Sequence, residues 1–183
     1  MRLKEITNIL EKWCPLNSAE EFDNVGLLIG NSDEIIKKAI ITIDTTEKVI
    51  DEAIRNNCNL VITFHPLIFN GLKNITQQTY VEKIVFKAIQ NNVNIYAIHT
   101  NLDNNPKGVN YKICQKMELN NTKFLISKNE GAFGMGMIGE LNKEFSELDF
   151  FNFLKSKMNI KNIKHSPFIG KKIKKVAVLG GSG

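Results

Sequence analysis

The chain has 183 residues, of which 43% are hydrophobic, so it is long enough for one α/β core or two small ones. No apolar run approaches the roughly 18 residues that cross a membrane, and the amino terminus lacks the apolar core of a signal peptide, which predicts a cytoplasmic protein without a membrane segment. A net charge of +5 raises the question of nucleic acid, but 22 of the 24 basic residues are lysines scattered along the chain, which argues against that partner.

The first predicted elements are a helix and a short strand. Apolar residues recur at helical spacing over residues 3–13, and Pro15 ends the pattern. Residues 20–30 then place three acids and an asparagine before an apolar strand bounded by glycines. A cluster of this kind is usually a solvated turn, although Asp23 and Asn24 directly before the strand could also line a pocket.

From residue 38 onward, apolar strands alternate with amphipathic helices. Strands are predicted at 39–43, 59–63, 93–98 and 123–126, with helices at 47–56, 80–91 and 108–117. The first of these strands is β-branched and continuous, as is typical of a strand covered on both faces. This order with short connections predicts an α/β fold, with a mainly parallel sheet and helices on both faces.

The pattern changes after residue 127. We therefore expect residues 1–127 to form an amino-terminal α/β lobe that carries the metal motifs, and residues 128–183 to begin a second α/β half. Glycines alternate with apolar residues over 131–141, which predicts a strand packed closely against another backbone or a bulged edge. A phenylalanine-rich helix near 150–158 is expected to face the core. The final strand reaches a glycine turn that is normally followed by a helix, so we expect this half to be incomplete at its carboxyl end.

Polar side chains follow three of the predicted parallel strands. Asp44, His65 and His99 stand at or just beyond the strand ends, and Asp103 follows four residues after His99. In parallel α/β sheets, ligands bind beyond the carboxyl ends of the strands. A single histidine there is more often structural, but imidazoles grouped with carboxylates suit zinc, manganese or iron. The grouping therefore favours a divalent metal site with an open position.

Other candidate groups give weaker signals. The Gly180 to Gly183 turn could be a phosphate cradle, or a nucleophile elbow on Ser182, but neither motif is complete and a tight turn is the simpler interpretation. His165 is expected at the surface. The three cysteines show no metal-like spacing and are read as reduced thiols; they are Cys14, Cys58 and Cys114.

Five blocks of sequence resemble, in order, the Nif-three-like family, whose members are also labelled GTP cyclohydrolase I type 2 homologues or dinuclear metal-centre proteins. The blocks are residues 21–30, 64–69, 99–103, 134–141 and 176–183. The resemblance implies a cytoplasmic α/β protein that assembles as a toroidal homohexamer, with up to two divalent metal ions per subunit in a full-length chain. It makes His65 and Asp103 metal ligands, with Asp103 as the bridging carboxylate.

The chain also departs from the family pattern. Phe64 stands where a first histidine is usual, and the carboxyl-terminal histidine and glutamate ligands have no counterpart. With His65 and Asp103 on the metal, His99 and Asp44 would orient ligands or accept a proton. The function this implies is metal-dependent hydrolysis, with a purine nucleotide or another phosphorylated heterocycle as the substrate suggested by the family label. The alternative is a non-catalytic regulatory or assembly module with a degenerate metal site.

Overall fold

The computed structural model describes residues 1–181, and it divides into two compact units, one of residues 1–102 and one that begins at Asp103. The first unit is built on a four-stranded sheet in the order β1-β4-β3-β2. Its strands are β1 (Gly26–Ile29), β2 (Ala39–Thr42), β3 (Leu60–Thr63) and β4 (Asn94–Ala97). β2, β3 and β4 are parallel, whereas β1 pairs with β4 in the antiparallel direction.

Helices cover both faces of this sheet. The helices are α1 (Leu3–Trp13), α2 (Glu47–Arg55), α3 (Tyr80–Gln90) and the single turn α4 (Thr100–Asp103). Side chains of α2 and α3 pack with Val61 on one face, and side chains of α1 pack with Leu60 on the other. Adjacent residues of β3 thus enter different cores, as the period of two in a strand requires. The predicted mainly parallel sheet with helices on both faces is confirmed.

Threonines fix where two of these helices begin. The hydroxyl of Thr46 accepts a hydrogen bond from the Val49 amide at 3.3 Å, and α2 starts there. Thr79 accepts from the Glu82 amide at 3.2 Å at the start of α3. Such caps satisfy amide groups that have no partner within the helix. The two threonines therefore define the first residues of α2 and α3.

The prediction that residues 39–43 form a strand covered on both faces is wrong. β2 is an edge strand, and its residues alternate between partial burial and exposure. Ile40 packs on the core of α2 and α3, but Ile41 is 81% exposed and Ile43 is 65% exposed. A continuous run of β-branched residues indicates a preference for strand, but it does not show whether a second layer covers the outer face of that strand.

The second unit contains a three-stranded antiparallel sheet in the order β5-β6-β7. Its elements are α5 (Val109–Lys116), β5 (Asn120–Lys128), β6 (Phe133–Phe145), α6 (Glu147–Met158) and β7 (Ile173–Val178). The segment 123–126 was expected to extend the parallel sheet, and this is wrong because it lies in β5. Only a short turn joins β5 to β6, and such a connection permits only antiparallel pairing.

The glycines of β6 allow a close approach between backbones. A Cβ atom at Gly134 would stand 2.4 Å from the carbonyl oxygen of Ile126, a distance that no side chain tolerates. This agrees with the close backbone packing expected from the glycine pattern. Residue 127, the expected lobe boundary, falls within β5, and the division into functional domains stays a prediction. Across residues 1–181, no helix combines the length and apolarity needed to cross a bilayer.

Candidate functional site

The carboxyl-terminal edge of the parallel strands in the first unit gathers three of the predicted site residues. Backbone hydrogen bonds continue beyond the strands, from the His65 amide to the Ile43 carbonyl and from the Ile98 amide to the Thr63 carbonyl, both at 2.9 Å. These bonds keep the three chain segments aligned after the regular strands end. Asp44, His65 and His99 are therefore delivered to one edge, as the topology predicted.

His65 is paired with Asp44 at the end of β3. Its Nδ1 atom lies 2.7 Å from Asp44 Oδ1, and the two side chains are 50% and 65% exposed. An ionised carboxylate can accept hydrogen bonds but cannot donate them. The imidazole must therefore be the donor, which places its proton on Nδ1. The Nε2 lone pair is then available to a ligand, as in the carboxylate–histidine pairs that surround many metal sites.

His99 is paired with a different carboxylate, Asp23, in a buried setting. The His99 Nδ1 to Asp23 Oδ1 distance is 2.9 Å, and the side-chain exposures are 19% and 0%. Asp23 also accepts hydrogen bonds from the amide and hydroxyl of Thr100 and from the Asn24 amide. Burial alone would raise the pKa of Asp23, but the hydrogen bonds from His99, Thr100 and Asn24 together lower it below its ordinary value.

Asp23 is a site residue that the sequence analysis did not select. In the sequence it belongs to an acidic cluster that is typical of a solvated turn, although Asp23 and Asn24 could also line a pocket. Because β1 is antiparallel to β4, the residues before β1 lie at the same edge as the residues after β4. The side chain of Asn24 also reaches this edge and donates to the Ile68 carbonyl at 2.6 Å. The missing signal was the direction of β1, which the sequence pattern does not reveal.

Phe64 completes an aromatic cluster with the two imidazoles. Its ring centroid lies 5.1 Å from that of His65 and 5.3 Å from that of His99, and the two histidine centroids are 5.5 Å apart. All three pairs meet edge to face, a favourable geometry for aromatic rings. Phe64 therefore positions both imidazoles by contact, although it offers no ligand atom.

Asp103 is the last residue of α4 and the first residue of the second unit, where it lies beside the glycine turn after β7. Asn110 connects the two: its side-chain Nδ2 donates to the Asp103 backbone carbonyl at 3.0 Å, and its Oδ1 accepts from the Gly180 amide at 2.7 Å. A Cβ at Gly180 would come within 3.1 Å of Val109, so a larger residue would crowd this contact. Ser182 lies outside the described residues, and so does the end of the proposed cradle or elbow. His165 is exposed, as expected.

The donor groups at this edge form only part of a metal site. Among residues 1–181, no group of three or more His, Cys, Asp or Glu side chains is placed to hold a metal ion. The first unit does offer two imidazoles whose Nδ1 atoms are held by carboxylates. These donors suit a partial site for a borderline metal such as zinc, which needs further ligands. The ligand roles of His65 and Asp103, and the supporting roles of His99 and Asp44, stay predictions.

The fold and this edge define an α/β protein with a parallel-rich sheet and paired histidine–carboxylate groups beyond its strands. The family model of Duf34/NIF3 (NGG1p interacting factor 3) matches residues 1–183, and the chain belongs to this family. The predicted family is confirmed.

Several proteins are similar to this chain in sequence or in structure. A GTP cyclohydrolase 1 type 2 homolog of Clostridium perfringens is 35% identical over 185 residues, covering 100% of this chain and 70% of the relative. The crystal structure of Staphylococcus aureus hypothetical protein SA1388 matches with a TM-score of 0.90 at 30% identity, covering 100% of this chain and 73% of that one. The Bacillus cereus protein related to NIF3 gives a TM-score of 0.90 at 25% identity, with coverage of 100% and 77%.

Proposed function

We propose that this protein binds a divalent metal ion through His65 and acts as a metal-dependent hydrolase. The observation that supports this best is the His65–Asp44 pair: an exposed imidazole at the sheet edge has its Nδ1 proton held by a carboxylate at 2.7 Å. That arrangement leaves Nε2 free to donate its lone pair to a cation. Zinc, manganese and iron are the candidates, because imidazole suits borderline transition metals.

The residues at this edge would have different roles in such a reaction. Asp44 fixes the tautomer and orientation of His65, and Asp23 does the same for His99. A divalent ion held there would supply Lewis acidity and a bound water that ionises near neutral pH. His99, with its Nδ1 proton directed to Asp23, could accept a proton at Nε2. Asp103 stays the predicted second ligand, and a second ion would lack the ligand that Phe64 replaces.

The proposed substrate class is a purine nucleotide or another phosphorylated heterocycle. Its support is the name of the relatives, GTP cyclohydrolase 1 type 2 homolog, together with an open sheet edge where ligands of α/β proteins bind. Release of product from GTP and related nucleotides is the assay for this substrate class.

A second candidate is a non-catalytic regulatory or assembly module. It is favoured by Phe64, whose ring packs on both imidazoles and supplies no donor, and by the lack of a three-ligand group among residues 1–181. In this reading the histidine pairs hold the edge in shape. Any bound metal would then be structural and would not support turnover.

Metal analysis of the purified protein separates these candidates. The wild type, His65→Ala and Asp103→Ala are each loaded with zinc, manganese or iron and dialysed, and the metal content per chain is then measured by mass spectrometry. His165→Ala is the matched control, because it removes the exposed histidine of the second unit. We expect about one ion per wild-type chain, an unchanged value for the control, and a loss of about tenfold or more in affinity for both test variants.

The outcomes are distinct. Fewer than about one ion per two wild-type chains, unchanged by either substitution, would contradict a metal site at His65. Metal binding that depends on His65 but gives no release of product from GTP or related nucleotides would favour the non-catalytic module. Metal-dependent turnover lost in His65→Ala would support the hydrolase.

We also propose self-association, up to the toroidal hexamer that the family resemblance implies. Its support within the first unit is the edge strand β2, which exposes Ile41 and Ile43 and has one side without a strand partner. Exposed apolar edge strands commonly pair with other chains. Light scattering of the wild type and of Ile41→Lys should show a larger particle for the wild type, and a monomeric wild type would contradict the proposal.

A further inference from the structure

The excess positive charge of the molecule is concentrated in residues 159–175, here called the lysine segment. This segment has six lysines and no acidic residue, whereas the rest of the chain has 18 basic and 19 acidic side chains. The six are Lys161, Lys164, Lys171, Lys172, Lys174 and Lys175. The lysines that looked scattered in the whole sequence therefore leave the remainder of the molecule nearly neutral and give one segment a strong field.

The lysine segment runs back along α6. It starts at Asn159, whose left-handed conformation ends the helix. Near its other end, the carboxylate of Glu147, the first residue of α6, accepts hydrogen bonds from the Ile169 and Gly170 amides at 3.0 and 2.9 Å. A helix of 12 residues is about 18 Å long, so the segment spans that distance along its side. Lysines therefore stand before and after the central part of the segment.

An aromatic stack occupies this central part. The rings of His165 and Phe168 are nearly parallel, at 9°, with centroids 5.0 Å apart, and Phe151 of α6 lies 4.7 Å from the His165 ring. His165 Nδ1 donates to the Ser166 carbonyl at 2.7 Å, which fixes the ring orientation. Because Phe168 is 50% exposed, the stack presents an aromatic surface to solvent.

Neighbouring carboxylates neutralise only part of the charge. Glu144 lies 3.7 Å from Lys172, and Glu140 lies 3.9 Å from Lys175. Within the described part of the chain, no carboxylate lies within ion-pair distance of the exposed lysines 161, 164 and 171. Three cationic groups thus remain available to an anionic partner on both sides of the stack.

We propose that the lysine segment binds single-stranded nucleic acid. Single strands are bound by positively charged surfaces that follow the phosphates, combined with aromatic side chains on which bases stack. The segment supplies both features within one stretch of about 18 Å. A duplex keeps its base faces covered, so it would use only the lysines. Lysines act as point charges and do not read base edges, so binding is expected to tolerate changes of sequence.

Fluorescence anisotropy with labelled 12-nucleotide dT and dA strands, and with their duplex, tests this directly. The wild type should bind either single strand at least about fivefold more tightly than the duplex in low salt, because only an unpaired strand can turn its base faces onto the exposed rings. The double variant Lys164→Gln/Lys171→Gln should bind single strands about tenfold more weakly. The steepness with which the logarithm of its association constant falls with the logarithm of the salt concentration should decrease by about 2. Phe168→Leu keeps apolar packing on Phe151, and it should weaken single-strand binding by about fivefold without changing this steepness.

The matched control is Lys37→Gln/Lys38→Gln, which removes two exposed lysines from the first unit. It should change the affinity by less than about twofold, since its lysines lie outside the segment. An equal loss in control and test variants would overturn the proposal. The proposal is also overturned if the wild type binds no oligonucleotide at about 50 mM salt, or if the Phe168→Leu variant binds single strands as tightly as the wild type. Binding to anionic phosphatidylserine vesicles without any binding to the strands would overturn it as well.

Discussion

The two histidine–carboxylate pairs at the sheet edge are alike in chemistry and opposite in setting. His65 and Asp44 follow neighbouring parallel strands and stand half-exposed, with one hydrogen bond between them. The side chain of His99 is mostly buried, and the side chain of its partner Asp23 is completely buried and accepts further hydrogen bonds from Thr100 and Asn24. The buried pair is therefore suited to hold the edge in shape, whereas the exposed pair is suited to meet a ligand.

The largest expected effect comes from removing the buried carboxylate. Asp23→Ala leaves His99 Nδ1 and the Thr100 amide without their acceptor, so we expect a loss of about 3 kcal/mol or more in the free energy of unfolding. Asp44→Ala should cost less than about 1 kcal/mol, because water can replace the exposed partner. Urea unfolding of both variants measures this difference. Equal losses would show that the two pairs contribute equally to the free energy of unfolding.

Metal affinity should respond in the opposite order. Asp44→Asn removes the carboxylate that orients His65, and we expect a loss of about tenfold in zinc affinity, equal to about 1.4 kcal/mol. Asp23→Asn should change zinc affinity by less than about threefold in the molecules that remain folded, because it acts on His99. Competition with a chromogenic chelator gives both values. A larger loss in Asp23→Asn would make His99 the primary ligand.

The smallest effect is expected in the pH dependence of stability. The pKa of Asp23 is lowered in the folded protein, so its contribution is complete above its ordinary value of 3.8 and is lost as the pH falls through the folded value. The stability gap between wild type and Asp23→Asn should thus be constant near neutral pH and shrink below about pH 4. Urea unfolding at a series of pH values tests this. A gap that grows on acidification would reverse the assigned direction.

The sequence predicted the parallel core because its strands and helices carry clear periodicity, and it placed Asp44, His65 and His99 at one edge. It failed at β2, where strand propensity carries no information on burial, and at β5, where a short turn decided the pairing direction. The pairing of Asp23 with His99 was not predictable from the sequence, because it depends on the antiparallel direction of β1. The stacked rings of His165 and Phe168 could not be foreseen either, since the loop that joins them has no regular period.

The antiparallel course of β1 also affects how the protein reaches its native state. Asp23 and His99 are separated by 76 positions in the chain, and their contact requires β1 to lie beside β4. Closing such a distant contact is slow compared with forming a helix or a local turn. The His99 imidazole signals in real-time nuclear magnetic resonance should therefore take their native positions late in refolding, so that the edge becomes competent only when the first unit is complete.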